Sequence, residues 1–375
     1  MTLKRLLIQN LRNLNSVDIN PSDRVNLIYG ENGSGKTSIL EAINVLAVGR
    51  SFRTHKHKPL IKNDQASFTV FGKITTYDGS EIPIGINRRR DGTASFKVNG
   101  DLVSSVASLA SQLPVQVINS ETFLLLDGPP KVRRQFIDWL VFHVEPTFFQ
   151  LWKDCQRCLK HRNSLLRRDR MTRPSGVQNF ELISWNQELA AHTEQIHLLR
   201  LKCMDQFKVA FYSLLKEFVS VDNIDIDYFC GWDNKKLYST VLQENLERDQ
   251  QQGYTHLGSH RADIQISINK QSAAEILSRG QQKLLVCALK IAQGYVFSQI
   301  TGRKSIYLVD DLPAELDEKH RHRLADWLQV MSTQVFITGV EEKSLSDIWR
   351  DKPDTAIKLF HVEQGNIKEI NRLSN

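Results

Sequence analysis

The 375-residue chain predicts an α/β fold: a nucleotide-binding head built from both ends of the sequence, with a helical second lobe inserted. Three observations predict it. A glycine-rich turn, Gly30-Glu31-Asn32-Gly33-Ser34-Gly35-Lys36-Thr37, separates a strand-like run, 25–29, from an amphipathic run, 38–46. Two short apolar strands, 306–309 and 334–338, lie near the other end. Between them, residues 131–219 carry helical periodicity and no strand signal.

The turn matches G-x-x-x-x-G-K-[ST] at every fixed position, and its flanks give it the context of a phosphate-binding loop. Gly30, Gly33 and Gly35 let the backbone turn tightly and bring N–H groups against phosphate oxygens. Ile39, Ala42, Ile43 and Leu46 repeat at helical spacing. A helix starting near Lys36 therefore aims its positive dipole end at the same anion. Lys36 can reach the β- and γ-phosphates, and the Thr37 hydroxyl can ligate Mg²⁺. Glu31, Asn32, Ser34 and Ser38 complete the candidate ATP-binding set on this loop.

Composition narrows the class. The chain is 41% hydrophobic and 24% charged, which is globular usage with enough length for two domains. No run approaches the 18 apolar residues of a membrane span, so no membrane is expected. The polar start, Met1-Thr2-Leu3-Lys4-Arg5, predicts no signal peptide, and residues 6–10 read as an edge strand. Five irregularly spaced cysteines suggest a reducing, cytoplasmic setting. Cys155 and Cys158 form a C-x-x-C pair without a second pair at zinc spacing, so they read as adjacent turns of a core helix. A net charge of +7 points weakly to an acidic partner.

In chain order, residues 1–30 predict two strands around Asn10-Leu11-Arg12-Asn13. Arg12 and Asn13 are either a surface turn or a nucleotide contact. After the loop helix, residues 49–58 are basic, with Arg50, Arg53, Lys56 and Lys58 and no acid; they form a solvated loop or a phosphate-facing one. Residues 67–75 and 81–88 alternate around Asp78-Gly79, and Asp91-Gly92 and Asn99-Gly100 mark two more turns, which predicts an antiparallel meander. A short helix in 102–126 precedes a buried-looking strand, 115–119. The expected domains are 1–128 (head), 129–222 (helical insert) and 223–375 (head). Within the insert, residues 157–173 hold seven Lys or Arg (Arg157, Lys160, Arg162, Arg167, Arg168, Arg170, Arg173) and one acid, Asp169. That run is a solvated face or a nucleic-acid contact.

Two late motifs complete the first. Leu277-Ser278-Arg279-Gly280-Gln281-Gln282-Lys283 precedes a strongly apolar helix, with Ser278 as N-cap, and forms a second anion site. It resembles the L-S-G-G-Q signature of the ATP-binding-cassette ATPases. Ile306-Tyr307-Leu308-Val309-Asp310-Asp311 is an apolar strand delivering two carboxylates to the sheet edge where nucleotides bind. It looks like a Walker B strand, with Asp310 holding Mg²⁺ through water and Asp311 polarising the attacking water.

The order of these motifs resembles, more specifically, the RecF family of bacterial recombination and gap-repair ATPases, relatives of the Rad50 and SMC heads. The likeness rests on Leu11-Arg12-Asn13, Gly49-Arg50-Ser51-Phe52-Arg53, 129–139 (PPKVRRQFIDW), 142–146 (FHVEP), 258–263 (GSHRAD) and 310–317 (DDLPAELD). It implies ATP-driven head-to-tail dimerisation. Each ATP would be shared by Lys36 of one copy and Ser278, Arg279, Gly280 and Gln281 of the other, with Gln116 joining Thr37 and Asp310 at the metal. It further implies binding of double- and single-stranded DNA at gaps and junctions. Recombinase loading with RecO and RecR, a part in SOS induction, and slow DNA-stimulated hydrolysis follow. Three departures stand out: Ser120 replaces Pro, Ala314 replaces the Ser of the D-loop, and Thr338 stands where the superfamily often carries a switch histidine. A transporter cassette has no use for the basic insert, and a small-molecule kinase has none for a signature helix.

Overall fold

The computed structural model describes residues 1–76, 78–172, 180–218, 221, 223–352 and 355–370. The strands along the chain are β1 (Thr2–Leu11), β2 (Leu14–Ile19), β3 (Val25–Tyr29), β4 (Ser67–Thr75), β5 (Glu81–Arg89), β6 (Ala94–Val98), β7 (Asp101–Val103) and β8 (Val115–Ile118). They continue with β9 (Ile224–Phe229), β10 (Asp263–Ile268), β11 (Gln271–Ser272), β12 (Ile306–Val309), β13 (Val335–Gly339), β14 (Ile357–Glu363) and β15 (Asn366–Ile370).

Two sheets build the head. One is the expected meander, ordered β2-β1-β4-β5-β6-β7. Here β1 is not an edge strand: β2 pairs along one side of it and β4 along the other. The second sheet is ordered β15-β14-β3-β13-β12-β8, and every pairing from β14 to β8 is parallel. The central strands β12 and β13 are buried along their whole length, as parallel strands covered on both faces must be.

Parallel alignment brings the C-terminal ends of β3, β13 and β12 to one edge. That edge receives the glycine turn after β3, Thr338 near the end of β13, and Asp310-Asp311 after β12. Helix Lys36–Val48 lies between the two sheets. It packs against Leu3, Leu6 and Val70 of the meander and Leu308, Phe336 and Phe360 of the parallel sheet in a single core. Nearly every one of its side chains is buried, so it is apolar around its circumference apart from a few polar residues. A turn near Arg12-Asn13 lets β1 pair back on β2, with Leu11 opposite Leu14.

The chain divides into two compact units. The head holds Met1–Phe123, Ser213–Ser220 and Ser278–Asn375; the other unit holds Leu124–Tyr212 and Val221–Leu277. The expected return to the head at residue 223 is therefore corrected to Ser278. The reason is that β9, β10 and β11 form their own antiparallel sheet, and charged pairs stitch it and its flanking loops to the helices. Arg133 of helix Pro130–Val144 grips Asp263 at the start of β10, at 2.7 and 2.9 Å. Arg200 of helix Phe180–Phe218 pairs with Asp138 of the neighbouring helix and donates to the Ser259 carbonyl, in the loop before β10, at 2.8 Å. The strand signals between residues 224 and 272 thus mark a strand layer of the helical unit.

Helix Arg279–Thr301 is, among the described residues, the one helix long and apolar enough to cross a membrane, but 67% of its apolar window is buried within the protein.

Candidate nucleotide-binding site

The glycine turn is held open by its neighbours. Lys36 Nζ donates to the carbonyls of Gly30 (2.7 Å) and Glu31 (2.8 Å), which curls the loop around the ammonium. Burial lowers the pKa of Lys36, while the nearby Asp311 and Asp310 charges oppose that shift. Asn13 Nδ2 donates to the carbonyls of Gly33 and Ser34, both at 3.1 Å, and its Oδ1 accepts from Ser38 Oγ. Asn13 is thus a brace for the loop. Gly30 has φ +150°, and a Cβ there would lie 2.2 Å from the Val362 carbonyl oxygen; no side chain fits. At Gly35 a Cβ would meet Leu14 and Asn13 at 3.0–3.2 Å.

At the end of the loop, the first turn of helix Lys36–Val48 and the end of β13 converge on the carboxylate that follows β12. Thr37 Oγ1 donates to Asp310 Oδ1 at 2.9 Å, and Thr338 Oγ1 donates to the same oxygen at 2.8 Å. Thr338 Oγ1 also accepts from the Asp311 N–H at 2.8 Å. Burial raises the pKa of Asp310, and the hydrogen bonds from Thr338 and Thr37 pull it back down. Asp311 follows at φ +50°, a left-handed conformation that turns the chain sharply after β12.

These groups line one cleft of about 670 Å³, which also takes in Arg12, Arg53, Pro59, Ile61, Lys62 and Asn63. Its volume suits a nucleotide. Ser34 Oγ is buried without a hydrogen-bond partner, on the side of the turn that faces Val362 and not in this cleft. The Thr37 hydroxyl and Asp310 carboxylate offer hard oxygens side by side, the donor type that Mg²⁺ takes. The residues present therefore fit a Mg²⁺–nucleotide.

Several expected site residues fall elsewhere. Gln116 is not a metal ligand here: it lies within β8, is 1% exposed, donates to Gln293 Oε1 at 2.8 Å and accepts from Lys290 Nζ. Its place in the strand directs it at helix Arg279–Thr301, away from the cleft. Arg12 lines the cleft but is committed to buried Glu41 by a bidentate pair, at 2.8 and 3.0 Å. Sequence reading passed over Glu41. The available signal was a carboxylate one turn after Thr37 in an otherwise apolar helix; it anchors Arg12 and accepts from Ser51 Oγ. Thr338, read from sequence as a missing histidine, is the hub that joins Asp310 to the Asp311 backbone.

Ser278 caps helix Arg279–Thr301 through a full capping box: Gln281 N–H donates to Ser278 Oγ at 3.3 Å and Ser278 N–H to Gln281 Oε1 at 3.0 Å. Ser278, Arg279 and Gly280 are exposed, and a Cβ on Gly280 would meet nothing within 4 Å. They do not line the cleft of their own chain.

The basic run is corrected at Arg162. This side chain is fully buried, donating to Asp249 (2.7 Å), Thr255 (2.6 Å) and Asn186 (2.7 Å), so it is a core residue and not a DNA contact. Arg157 is exposed and pairs with Asp154, Arg168 is exposed and pairs with Glu181, and Lys160 and Arg167 are exposed. The Arg170 side chain and Arg173 lie outside the described residues. In the head, Arg50 is exposed and Arg53 lines the cleft.

A phosphate loop, an acidic strand end and an exposed, capped signature helix on a parallel sheet define an ATP-binding-cassette ATPase head. The RecF/RecN/SMC N-terminal domain family matches residues 2–368. The DNA replication and repair protein RecF of Cellvibrio japonicus is 64% identical, over 98% of this chain and 99% of its own. That of Pseudomonas syringae pv. tomato is 45% identical over 98% of both chains. The chain belongs to the RecF family. A solved structure of the recombination mediator RecF with ATP, from the RecFOR pathway, superposes with a TM-score of 0.85 at 26% identity, covering 99% of this chain and 98% of that one. An SMC head superposes with a TM-score of 0.59 at 16% identity, covering 99% of this chain and 97% of that one, and shares the fold.

Proposed function

We propose that this protein is an ATP-switched DNA clamp of recombinational repair: two copies close head to tail around ATP on gapped or junction DNA, act with RecO and RecR, and open on slow hydrolysis. The observation that carries it is the separation of the two halves of an ATP site. Lys36, Thr37, Asp310 and Asp311 share one cleft, while the signature residues Ser278, Arg279 and Gly280 stand exposed and, with the half-buried Gln281, outside it. A second copy is what completes such a site.

In this reading the loop amides and Lys36 hold the β- and γ-phosphates, and Thr37 and Asp310 hold Mg²⁺. Bound Mg²⁺ neutralises phosphate charge and orients the γ-phosphoryl group. Asp311 orients the attacking water by accepting its proton's hydrogen bond; Thr338 fixes Asp311 by its backbone. Asp311 is one methylene shorter than the Glu common in cassette transporters, so water is held less closely and turnover is slow, as a clamp that persists on DNA requires. The naming of the relatives for replication and repair, and of one solved relative for the RecFOR pathway, supports the DNA and partner assignments.

The test is light scattering with and without Mg-ATP. The parent should convert from monomer to dimer with ATP, and Asp311→Asn should trap the dimer. A chain that stays monomeric at saturating ATP overturns the clamp reading.

A further inference from the structure

We propose that Cys158, Glu188 and His192 form a zinc-class metal site that clasps the two long helices of the helical unit, Phe148–Thr172 and Phe180–Phe218. One ligand atom from each residue, the Cys158 sulfur, a Glu188 oxygen and a His192 ring nitrogen, lies within 4.8 Å of the other two. Glu188 and His192 sit four residues apart, so one helix presents both on one face. Cys158 faces them from the other helix, its sulfur 3.6 Å from Glu188 Oε2.

The register that brings them together is fixed by neighbouring contacts. His161 stacks on Trp185 with ring centroids 4.5 Å apart and planes 5° from parallel. One residue further on, Arg162 Nε donates to Asn186 Oδ1 at 2.7 Å. Cys158, one turn before these contacts, therefore meets Glu188 by construction of the helix pair.

The donor set selects the ion. A thiolate and an imidazole favour zinc over Mg²⁺ or Ca²⁺, which take oxygen ligands. Metal–ligand bonds of about 2.0–2.3 Å place tetrahedral donor atoms roughly 3.3–3.8 Å apart. The Cys158–Glu188 separation of 3.6 Å already falls in that range, all three donor atoms lie within 4.8 Å of one another, and Glu188, being exposed, can adjust by a change of rotamer. His192 is half-buried and Cys158 is buried, so the ion would sit at the helix–helix seam, open to solvent on the Glu188 side. Three protein ligands leave a fourth position for water. Binding forms a zinc–sulfur bond and releases the thiol proton to solvent. Cys155, the other half of the C-x-x-C pair, is directed elsewhere, at Thr193 and Ser259 hydroxyls 3.5 and 3.6 Å away, and is no part of the set.

Such an ion would add a cross-link between two helices that already pack side by side. It would do so without touching the nucleotide cleft, none of whose lining residues belongs to this unit.

The experiment uses the full chain, untagged, stripped with a chelator and titrated with Co²⁺. The expected result is a thiolate-to-cobalt charge-transfer band in the near ultraviolet, saturating at one ion per chain and bleached by Zn²⁺. Cys158→Ala should abolish the band and Cys155→Ala should retain it. Glu188→Gln, at an exposed position that folding does not need, should weaken Zn²⁺ binding by about tenfold or more. Zn²⁺ should also raise the melting midpoint of the parent and not that of Glu188→Gln at the same concentration. No thiolate band at one equivalent, a band that survives Cys158→Ala, or equal Zn²⁺ protection of parent and Glu188→Gln would overturn the site.

Discussion

Thr338 shows how one hydroxyl can do the work of a larger group. It donates to the Asp310 carboxylate and accepts from the Asp311 N–H, so it couples the metal-side acid to the backbone of the water-side acid. Thr338→Val removes both bonds at nearly constant volume and leaves a half-buried N–H without its partner, at a cost of about 1–3 kcal/mol. The phosphate loop is untouched, so ATP affinity should hold while turnover falls about tenfold or more, each factor of ten being about 1.4 kcal/mol of barrier. Phosphate-release kinetics beside a fluorescent-ATP titration check this; unchanged turnover would reduce Thr338 to a spacer. The complementary variant at the loop is Lys36→Met, which removes the ammonium that both loop carbonyls now hold. It should abolish tight ATP binding in the same titration.

Arg162 makes the opposite point at the same scale. In sequence it belongs to a basic run; in the structure it is the buried partner of Asp249, which is itself 1% exposed. Arg162→Met removes the guanidinium that balances the buried Asp249 carboxylate, leaving His256 as its partner, and should destabilise the helical unit by about 3–5 kcal/mol. Pairing it with Asp249→Leu should recover much of the loss, because an apolar pair needs no desolvation of charge. Differential scanning calorimetry of the single and double variants decides it. A DNA-contact role predicts instead an unchanged melt and weaker DNA binding.

At the scale of elements, the signature helix carries two separable properties in Ser278. It caps the helix and it is exposed; the proposed dimer gives that exposure its use. Ser278→Ala should remove the cap alone, at about 0.5–2 kcal/mol. Ser278→Arg should in addition block the ATP-dependent dimer by bulk, with monomer ATP affinity preserved. A dimer that persists with ATP in Ser278→Arg, by light scattering, would remove this residue from the interface.

Elements also show what a sequence can and cannot display. The phosphate loop, the meander turns and the acidic strand were legible because each is a local pattern: fixed glycine spacing, Asp-Gly and Asn-Gly turns, an apolar run ending in carboxylates. The end of the helical unit was not. Residues 224–229 alternate as a strand whichever unit they pack on, and only Arg133–Asp263 and its companions assign them to the helices. Gln116 was misassigned for a related reason. A buried strand's two faces look alike in sequence, and which one meets helix Arg279–Thr301 is fixed by the register that pairs Gln116 with Tyr307 of β12.

For the whole molecule, the proposed DNA role needs a basic face that a phosphate backbone can follow. Helix geometry sharpens the basic run. At 3.6 residues per turn, Arg157, Lys160, Arg167 and Arg168 fall within about a 100° arc of helix Phe148–Thr172, with Arg162 nearly opposite. Burial agrees, the four being exposed and Arg162 buried. This is one charged face, not a ring of charge, and a face is what a phosphate backbone can follow. Each cation that neutralises a phosphate releases condensed counterion, so log affinity should fall with log salt by about 0.9 per contact on duplex. Changing Arg157, Lys160 and Arg167 to Glu should weaken binding to gapped DNA and flatten that slope. ATP affinity should stay the same, since none of the three lines the nucleotide cleft. Fluorescence anisotropy across a salt series at saturating ATP reads both quantities. If the triple variant reproduces the parent's slope and affinity, the face is solvated only. The head's loop with Arg50 and Arg53 then becomes the DNA surface, and Arg53, which lines the cleft, would tie DNA contact directly to nucleotide state.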